Sequence, residues 1–315
     1  MIDIRFKPEL ITEKFYRLGT PSYPVYLSLG DDAMLIEGGI GAIYPLIVDQ
    51  LKQLKVPLDR IKYIAITHTH SDHIGAVPYL KKLLPHLKSI AGQAAAGLLK
   101  NENLIRDHLI MEKTRTKILL AKGEVAGPIQ LIEDPEFSVD KIVKEGDEID
   151  LGGGVKWTVY ETPGHSPCHL SYFETSEKIV SIGDATGFYV PEKDAIWPNY
   201  FISLEDYCNS IRKLCSILPQ VGVLSHNYVL RGGVGQYLKK AMRATEGYHR
   251  EMLKRIEAGE DPEEIAMEKA KWVNTLTDEH PFEIMFTLSK VLIRRSLAIG
   301  DKKGLFDIPQ TAVIK

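Results

Sequence analysis

The 315-residue sequence has little of what marks a secreted, membrane-bound or nucleic-acid-binding protein. Its three cysteines, Cys168, Cys208 and Cys215, are widely spaced and odd in number. That fits a reducing cytosol better than a disulfide framework. No run of about 18 apolar residues occurs, so no membrane-spanning helix is expected. The opening stretch MIDIRFKPEL lacks an apolar signal core, and a cytoplasmic location is expected. The net charge is only -3, so no basic excess points to a nucleic acid as partner. Low-complexity tracts and short repeats are absent.

What is present is an ordinary globular composition with a mixed α/β pattern. YPVYLSLG and AMLIEGG, near residues 23 to 39, read as strands joined by an Asp-Asp turn. IYPLIVDQLKQL has helical spacing of its apolar residues. IKYIAITH is a short β-branched strand, and GAVPYLKKLL reads as the start of a helix. NENLIRDHLIMEKTRTKILLAKG reads as a long helix closed by Gly123. Turns and strands alternate through VKEGDEIDLGGGVKWTVYETPGHSPCHLSYFE, and KIVSIGDAT and VGVLSHN are further buried strands. Between those two strands, Ser203 caps the helix LEDYCNSIRKLCSIL. Beyond about residue 235 strand signals stop and three helices follow. One ends at Gly259, one starts at Asp261-Pro262, and one ends at Gly300. The expected organisation is an α/β body over residues 1–235 and a helical region over 236–315, with two sheets and helices outside them.

The most informative stretch is THTHSDHIG, residues 67 to 75. His68 and His70 are two apart in extended chain and point the same way. Asp72 and His73 turn into the following loop and face a neighbouring point. Imidazole and carboxylate without thiolate suit zinc, iron or manganese. Further metal-competent residues end other strands: His165 in TPGHSPCH, Asp184 in SIGD and His226 in LSHN. Gly164 and Gly183 allow the backbone to bend close beside them.

The motif HTHSDH followed by His165, Asp184 and His226 resembles the metallo-β-lactamase superfamily over roughly residues 20 to 230. The resemblance implies a four-layer αββα sandwich with a C-terminal helical appendage. It implies that His68, His70 and His165 hold one metal and that Asp72, His73 and His226 hold a second. Asp184 bridges them together with a hydroxide that attacks the substrate. Asp72 and Asp184 are the candidate catalytic residues. Two divalent ions are implied, with zinc placed ahead of iron and manganese.

Within the family, the full set of seven ligands and the C-terminal helices resemble the glyoxalase II-like and quinolone-signal thioesterase-like branch. The expected function is a metallohydrolase of a thioester or ester. The expected partner is a small-molecule substrate, with no nucleic acid and no membrane, and a homodimer is left open. The alternatives are a phosphodiesterase or nuclease of the same fold, an iron-dependent oxygenase, and a slow-turnover ligand-binding regulator. Gly187, three positions after Asp184, disfavours lactonases that carry tyrosine there.

Other residues have a simpler reading beside a functional one. His169 is expected to orient a neighbour. Cys168, Cys208 and Cys215 read as packing residues. His86, His108, His249 and His280 have no partner pattern. The aromatic stretch TGFYVPEKDAIWPNYF, with Phe188, Tyr189, Trp197, Tyr200 and Phe201, either lines an acyl pocket or packs onto the body. Tyr228 and Arg231 either meet substrate or serve the surface.

Overall fold

The computed structural model describes residues 6–125, 130–278 and 281–308. Seven strands form a first sheet in sequence order: β1 (Glu9–Thr12), β2 (Phe15–Gly19), β3 (Pro24–Leu29), β4 (Ala33–Ile36), β5 (Ile61–Ala65), β6 (Lys88–Gly92) and β7 (Lys141–Val143). Five helices interrupt this half: α1 (Tyr44–Gln53), α2 (Ser71–Ile74), α3 (Val77–Leu83), α4 (Gln93–Leu98) and α5 (Glu102–Ala121). The second half adds β8 (Glu148–Asp150), β9 (Lys156–Glu161), β10 (Leu170–Glu174) and β11 (Ile179–Gly183). The hairpin β12 (Phe188–Val190) and β13 (Ala195–Trp197) follows, then α6 (Leu204–Ile217), β14 (Val221–Leu224) and β15 (Val229–Arg231). The second sheet has the order β15-β14-β11-β10-β9-β8. Last come α7 (Val234–Glu257), α8 (Pro262–Leu276) and α9 (Phe282–Ile299).

Alternation along the strands builds the layers. In β3 and β4, Val25, Leu27, Ala33 and Leu35 pack outward with Ile47 of α1 and Leu80 of α3. Their neighbours Tyr26, Met34 and Ile36 face inward and meet Trp157, Val159 and Tyr172 of the second sheet. This period of two is what a sheet covered on both faces requires. On the far side, Val180 and Ile182 of β11 meet Ile211 and Leu214 of α6 and residues of α7–α9. The result is helices, sheet, sheet, helices, as the sequence pattern predicts.

Strand direction then gathers the chemistry. β4, β5 and β6 are parallel in the first sheet. In the second, β9 and β11 both run antiparallel to β10, so they share a direction, and β14 is parallel to β11. The carboxyl ends of β5, β9, β11 and β14 therefore lead into His68, His165, Asp184 and His226. Two tyrosines tie these ends across the sandwich. Tyr26 donates its hydroxyl to the Leu224 carbonyl at 2.6 Å, and Tyr172 donates to the Ile66 carbonyl at 2.7 Å. Each such buried hydrogen bond is worth about 1 kcal/mol net, and more is lost if one partner is left orphaned.

Candidate metal centre

The loop after β5 stays extended through His70, whose φ and ψ are -66° and 150°. His68 and His70 therefore lie on one side of the chain. Helix α2 then starts at Ser71 and places Asp72 and His73 in its first turn. The His165 loop is set by a close approach. Gly164 has φ of 126°, and a methyl group there would run into the backbone of Tyr207 on α6. Its carbonyl accepts from the N–H groups of Ile202 and Ser203. Ser203 caps α6 as its sequence predicts, with Oγ accepting from Asp206 N at 3.1 Å.

Three ring nitrogens converge in a first cluster. His68 Nε2 is 2.9 Å from His70 Nδ1, and His165 Nε2 is 3.2 Å and 3.0 Å from the same two atoms. Three nitrogens in one small triangle cannot all be satisfied by sharing protons. The edge of a tetrahedral site with zinc–nitrogen bonds of the usual length is about 3.3 Å, close to these spacings. The opposite nitrogens are occupied: His165 Nδ1 lies 3.0 Å from the Asn199 carbonyl, and His68 Nδ1 lies 3.1 Å from Thr67 Oγ1. Burial first, then the neighbouring rings, pushes the pKa of His68 well below its ordinary value. Burial also leads the lowering at His70 and His165. All three are therefore held as neutral donors.

The second cluster joins Asp72, His73 and His226. Asp72 Oδ2 is 3.7 Å from His73 Nε2 and 3.8 Å from His226 Nε2. His73 Nε2 is buried without a hydrogen-bond partner. Its ring is buried, which disfavours charge, yet Glu37, Asp72 and Asp184 outweigh that and hold its pKa well above the ordinary value. A buried site that pulls a proton onto an imidazole in this way has room for positive charge, and a cation meets the same demand. His226 Nδ1 donates to the Ser22 carbonyl at 2.8 Å, which turns Nε2 toward the cluster.

Asp184 stands between the two groups. Its Oδ2 is 3.4 Å from His165 Nε2, 3.4 Å from His73 Nε2 and 3.8 Å from His68 Nε2. Its Oδ1 is 3.8 Å from His226 Nε2. Burial alone would raise its pKa, but His226, His73 and His165 hold it below the usual carboxylate value. The structure thus brings together all seven residues singled out in the sequence. Their donor atoms form three overlapping groups that could hold metal ions.

Outside the seven lie residues that orient them. Glu37, at the end of β4 with φ of 71°, is a hub. Its Oε2 accepts from His73 Nδ1 at 2.9 Å, and its Oε1 accepts from Thr67 Oγ1 at 2.8 Å and Ser225 Oγ at 2.6 Å. His169 Nε2 accepts from the Asp184 backbone N–H at 2.9 Å, and its Nδ1 faces Thr162 Oγ1 at 2.8 Å. That is the orienting role its position predicts, and burial lowers its pKa to about 3. A residue that the sequence reading passed over is Arg115 of α5, whose Nη2 lies 3.2 Å from Asp72 Oδ1. Glu37 had one readable signal, a carboxylate closing an apolar strand before two glycines. Arg115 had none, since it sits among other charged residues of a long helix.

The remaining candidates separate clearly. Cys168 is buried against Thr69 and Ser166 and belongs to none of the metal-competent groups. Cys208 and Cys215, both on α6, pack in the core. His86 is exposed, His108 and His249 are buried, and His280 lies outside the described residues. In the aromatic stretch, Phe201 lies 5.3 Å from the His165 ring and Phe188 lies 5.2 Å from the His226 ring. Tyr200 is instead fully buried and bonds Ser296 of α9 at 2.8 Å, so it is a packing residue. Arg295 of α9 donates to the Phe201 carbonyl at 2.9 Å. The C-terminal helix thereby braces the segment whose Asn199 carbonyl holds His165. Arg231 pairs with Glu9 at 2.8 Å on the chain's own β1. Tyr228 stacks edge-on to Tyr189. No helix among the described residues is long and apolar enough to cross a membrane.

Comparison with known proteins agrees with this geometry. The chain is 26% identical over 187 residues to a probable metallo-hydrolase of Burkholderia pseudomallei, covering 56% of each chain. It is 27% identical over 179 residues to a metallo-β-lactamase fold-containing protein of Sulfurisphaera tokodaii, covering 54% of this chain and 61% of that one. The chain thus spans little more than half the length of these curated relatives. Among solved structures, a subclass B3 metallo-β-lactamase of Bradyrhizobium japonicum superposes with a TM-score of 0.56 at 22% identity, covering 81% of this chain and 97% of that one. Such a likeness concerns the fold. Residues 18–216, more than half of the chain, match the family described as the Metallo-beta-lactamase superfamily, and the chain belongs to that superfamily.

Proposed function

We propose that this chain is a dinuclear metal-dependent hydrolase acting on a thioester or ester with an apolar acyl group. The observation that carries the reading is Asp184, whose carboxylate stands between the clusters: Oδ2 lies 3.4 Å from both His165 Nε2 and His73 Nε2, and Oδ1 lies 3.8 Å from His226 Nε2. On this reading His68, His70 and His165 hold one divalent ion, Asp72, His73 and His226 hold the other, and Asp184 reaches both. Two such ions supply Lewis acidity and an activated water near neutral pH. Zinc is placed first because three neutral imidazoles in a near-tetrahedral arrangement suit it, and iron or manganese suits the same donors.

The chain's own residues do the rest. Burial keeps the first three histidines unprotonated. Glu37, through His73 Nδ1, and the Asn199 and Ser22 carbonyls, through His165 and His226, fix the ring orientations before substrate arrives. Asp72 is positioned to orient the nucleophile. Phe188 and Phe201 stand beside one histidine of each cluster and offer apolar contact to an acyl chain. The bracing of Phe201 by α9 supports placing the chain in the glyoxalase II-like and quinolone-signal thioesterase-like branch, with a small-molecule substrate. Arg115 is buried and committed to Asp72 and Ser71, so it is not presented to a phosphodiester backbone.

The test is a side-by-side panel on metal-loaded protein: acyl thioesters, lactones and a phosphodiester, with bound metal quantified. Thioester turnover well above the others is expected. Faster phosphodiester cleavage would reject the substrate class, and tight binding without turnover of any substrate would reject the hydrolase.

A further inference from the structure

Helix α5 has an unusual buried face. Its buried positions are His108, Glu112, Arg115, Thr116 and Leu119, four of them polar. A helix held only by the hydrophobic effect would present an apolar stripe there. Buried polar groups carry a desolvation cost that only specific partners offset. For Arg115 and Glu112 those partners are the metal-bearing segment and the loop beside it. Arg115 Nη2 meets Asp72 Oδ1 at 3.2 Å, and Nη1 bonds Ser71 Oγ. One turn earlier, Glu112 Oε1 accepts from Ala42 N at 3.3 Å. Its carboxylate fills a hollow that exists because residues 41 and 75 are glycines; a methyl at either would crowd it.

We propose that Arg115 is a positioning residue for the second metal site. It takes one oxygen of Asp72, Oδ1, and leaves Oδ2 toward His73 and His226. The guanidinium fork holds Asp72 and its neighbour Ser71 at once, so the carboxylate cannot rotate to offer both oxygens to the second ion. A lysine ammonium keeps the charge but not the fork. The alternative is that Arg115 is merely a nearby positive charge. That charge would repel a cation, and removing it would then tighten the site. The two accounts differ in sign. The inference rests on the two-ion reading above, and the first cluster, which lies outside Arg115's ion pair and hydrogen bond to Asp72 and Ser71, serves as an internal control.

The experiment titrates metal-free full-length protein with zinc against a chromophoric chelator, for wild type, Arg115→Met and Arg115→Lys. Wild type should bind two equivalents. In Arg115→Met the second should weaken by about tenfold or more, the usual scale for losing such a supporting contact, while the first is unchanged. Arg115→Lys should fall between the two. An unchanged or tightened second equivalent in Arg115→Met would overturn the role. Should Arg115→Met lose both equivalents through misfolding, Arg115→Lys decides: binding at wild-type strength, or loss of both, overturns the role. Wild type binding fewer than two equivalents would instead reject the two-ion reading, a result distinguishable from failure of the Arg115 assignment.

Discussion

The carboxylate of Glu37 lies 2.9 Å from Nδ1 of His73, and it is the same carboxylate that receives the hydroxyls of Thr67 and Ser225. Those two hydroxyls belong to the residues just before His68 and His226. One buried acid at the end of β4 thus sets the approach to three of the seven site residues from both sheets.

Glu37→Gln keeps the size of the side chain but removes its charge. Affinity for metal should fall by about ten- to a hundredfold, and both equivalents should be affected, because Glu37 reaches both clusters. Isothermal titration of the metal-free protein reads this directly. Unaltered affinity for both ions would show that the hub is only structural.

Gly183 precedes Asp184 with φ of 65°, and a methyl there would strike Nε2 of His169. Gly183→Ala combines backbone strain with overpacking and should cost about 2–4 kcal/mol. The denaturation midpoint measures it. A loss below about 0.5 kcal/mol would mean that the turn relaxes freely.

Glu112 has a pKa raised from 4.5 to about 7, first by burial, against the opposing pull of backbone N–H groups and Arg115. Its protonated form is the one the fold favours. That contribution is fully present below pH 4.5 and is lost as pH rises through about 7. The wild type should therefore lose about 3 kcal/mol relative to Glu112→Gln across this window. Melting both metal-free proteins at pH 5 and pH 8 checks the sign. Parallel pH profiles would contradict it.

Phe201 borders His165 without contributing a ligand. Phe201→Ala should lower kcat/KM for long-chain acyl thioesters by about tenfold, mostly through KM, the scale of losing an aromatic apolar contact. Metal content should be unchanged. Equal kinetics on short and long acyl chains in both proteins would remove the acyl-pocket assignment.

Much of this architecture was legible because it rests on local periodicity and chain order. Near-continuous apolar runs mark β3, β4 and β11, and Ser203, Asp261 and Gly300 mark helix ends through capping chemistry that needs no tertiary context. The seven site residues were legible because the HTHSDH spacing and the order of His165, Asp184 and His226 after strand ends resemble one family's pattern; taken singly, His165 or His226 would read as a structural histidine. Short elements were not: β1 and β2 carry mixed polar residues, β12 and β13 are three residues each and too short to show a period, and all four are fixed by pairing with neighbours rather than by their own pattern. Arg115 was invisible for a related reason. Its significance lies in an ion pair with Asp72, 43 positions earlier, and nothing in the composition of α5 distinguishes that arginine from its charged neighbours. For Tyr200 the sequence left pocket lining and packing open, because nearness to Asp184 along the chain does not say which way a ring points; packing against α9 places it in the core.

The most direct measurement is metal per chain together with turnover, in wild type and in His68→Ala. Two divalent ions per wild-type chain are expected, with His68→Ala losing the first-cluster ion and its hydrolytic activity. A His68→Ala protein that retained a full metal load and full activity would contradict the centre described above.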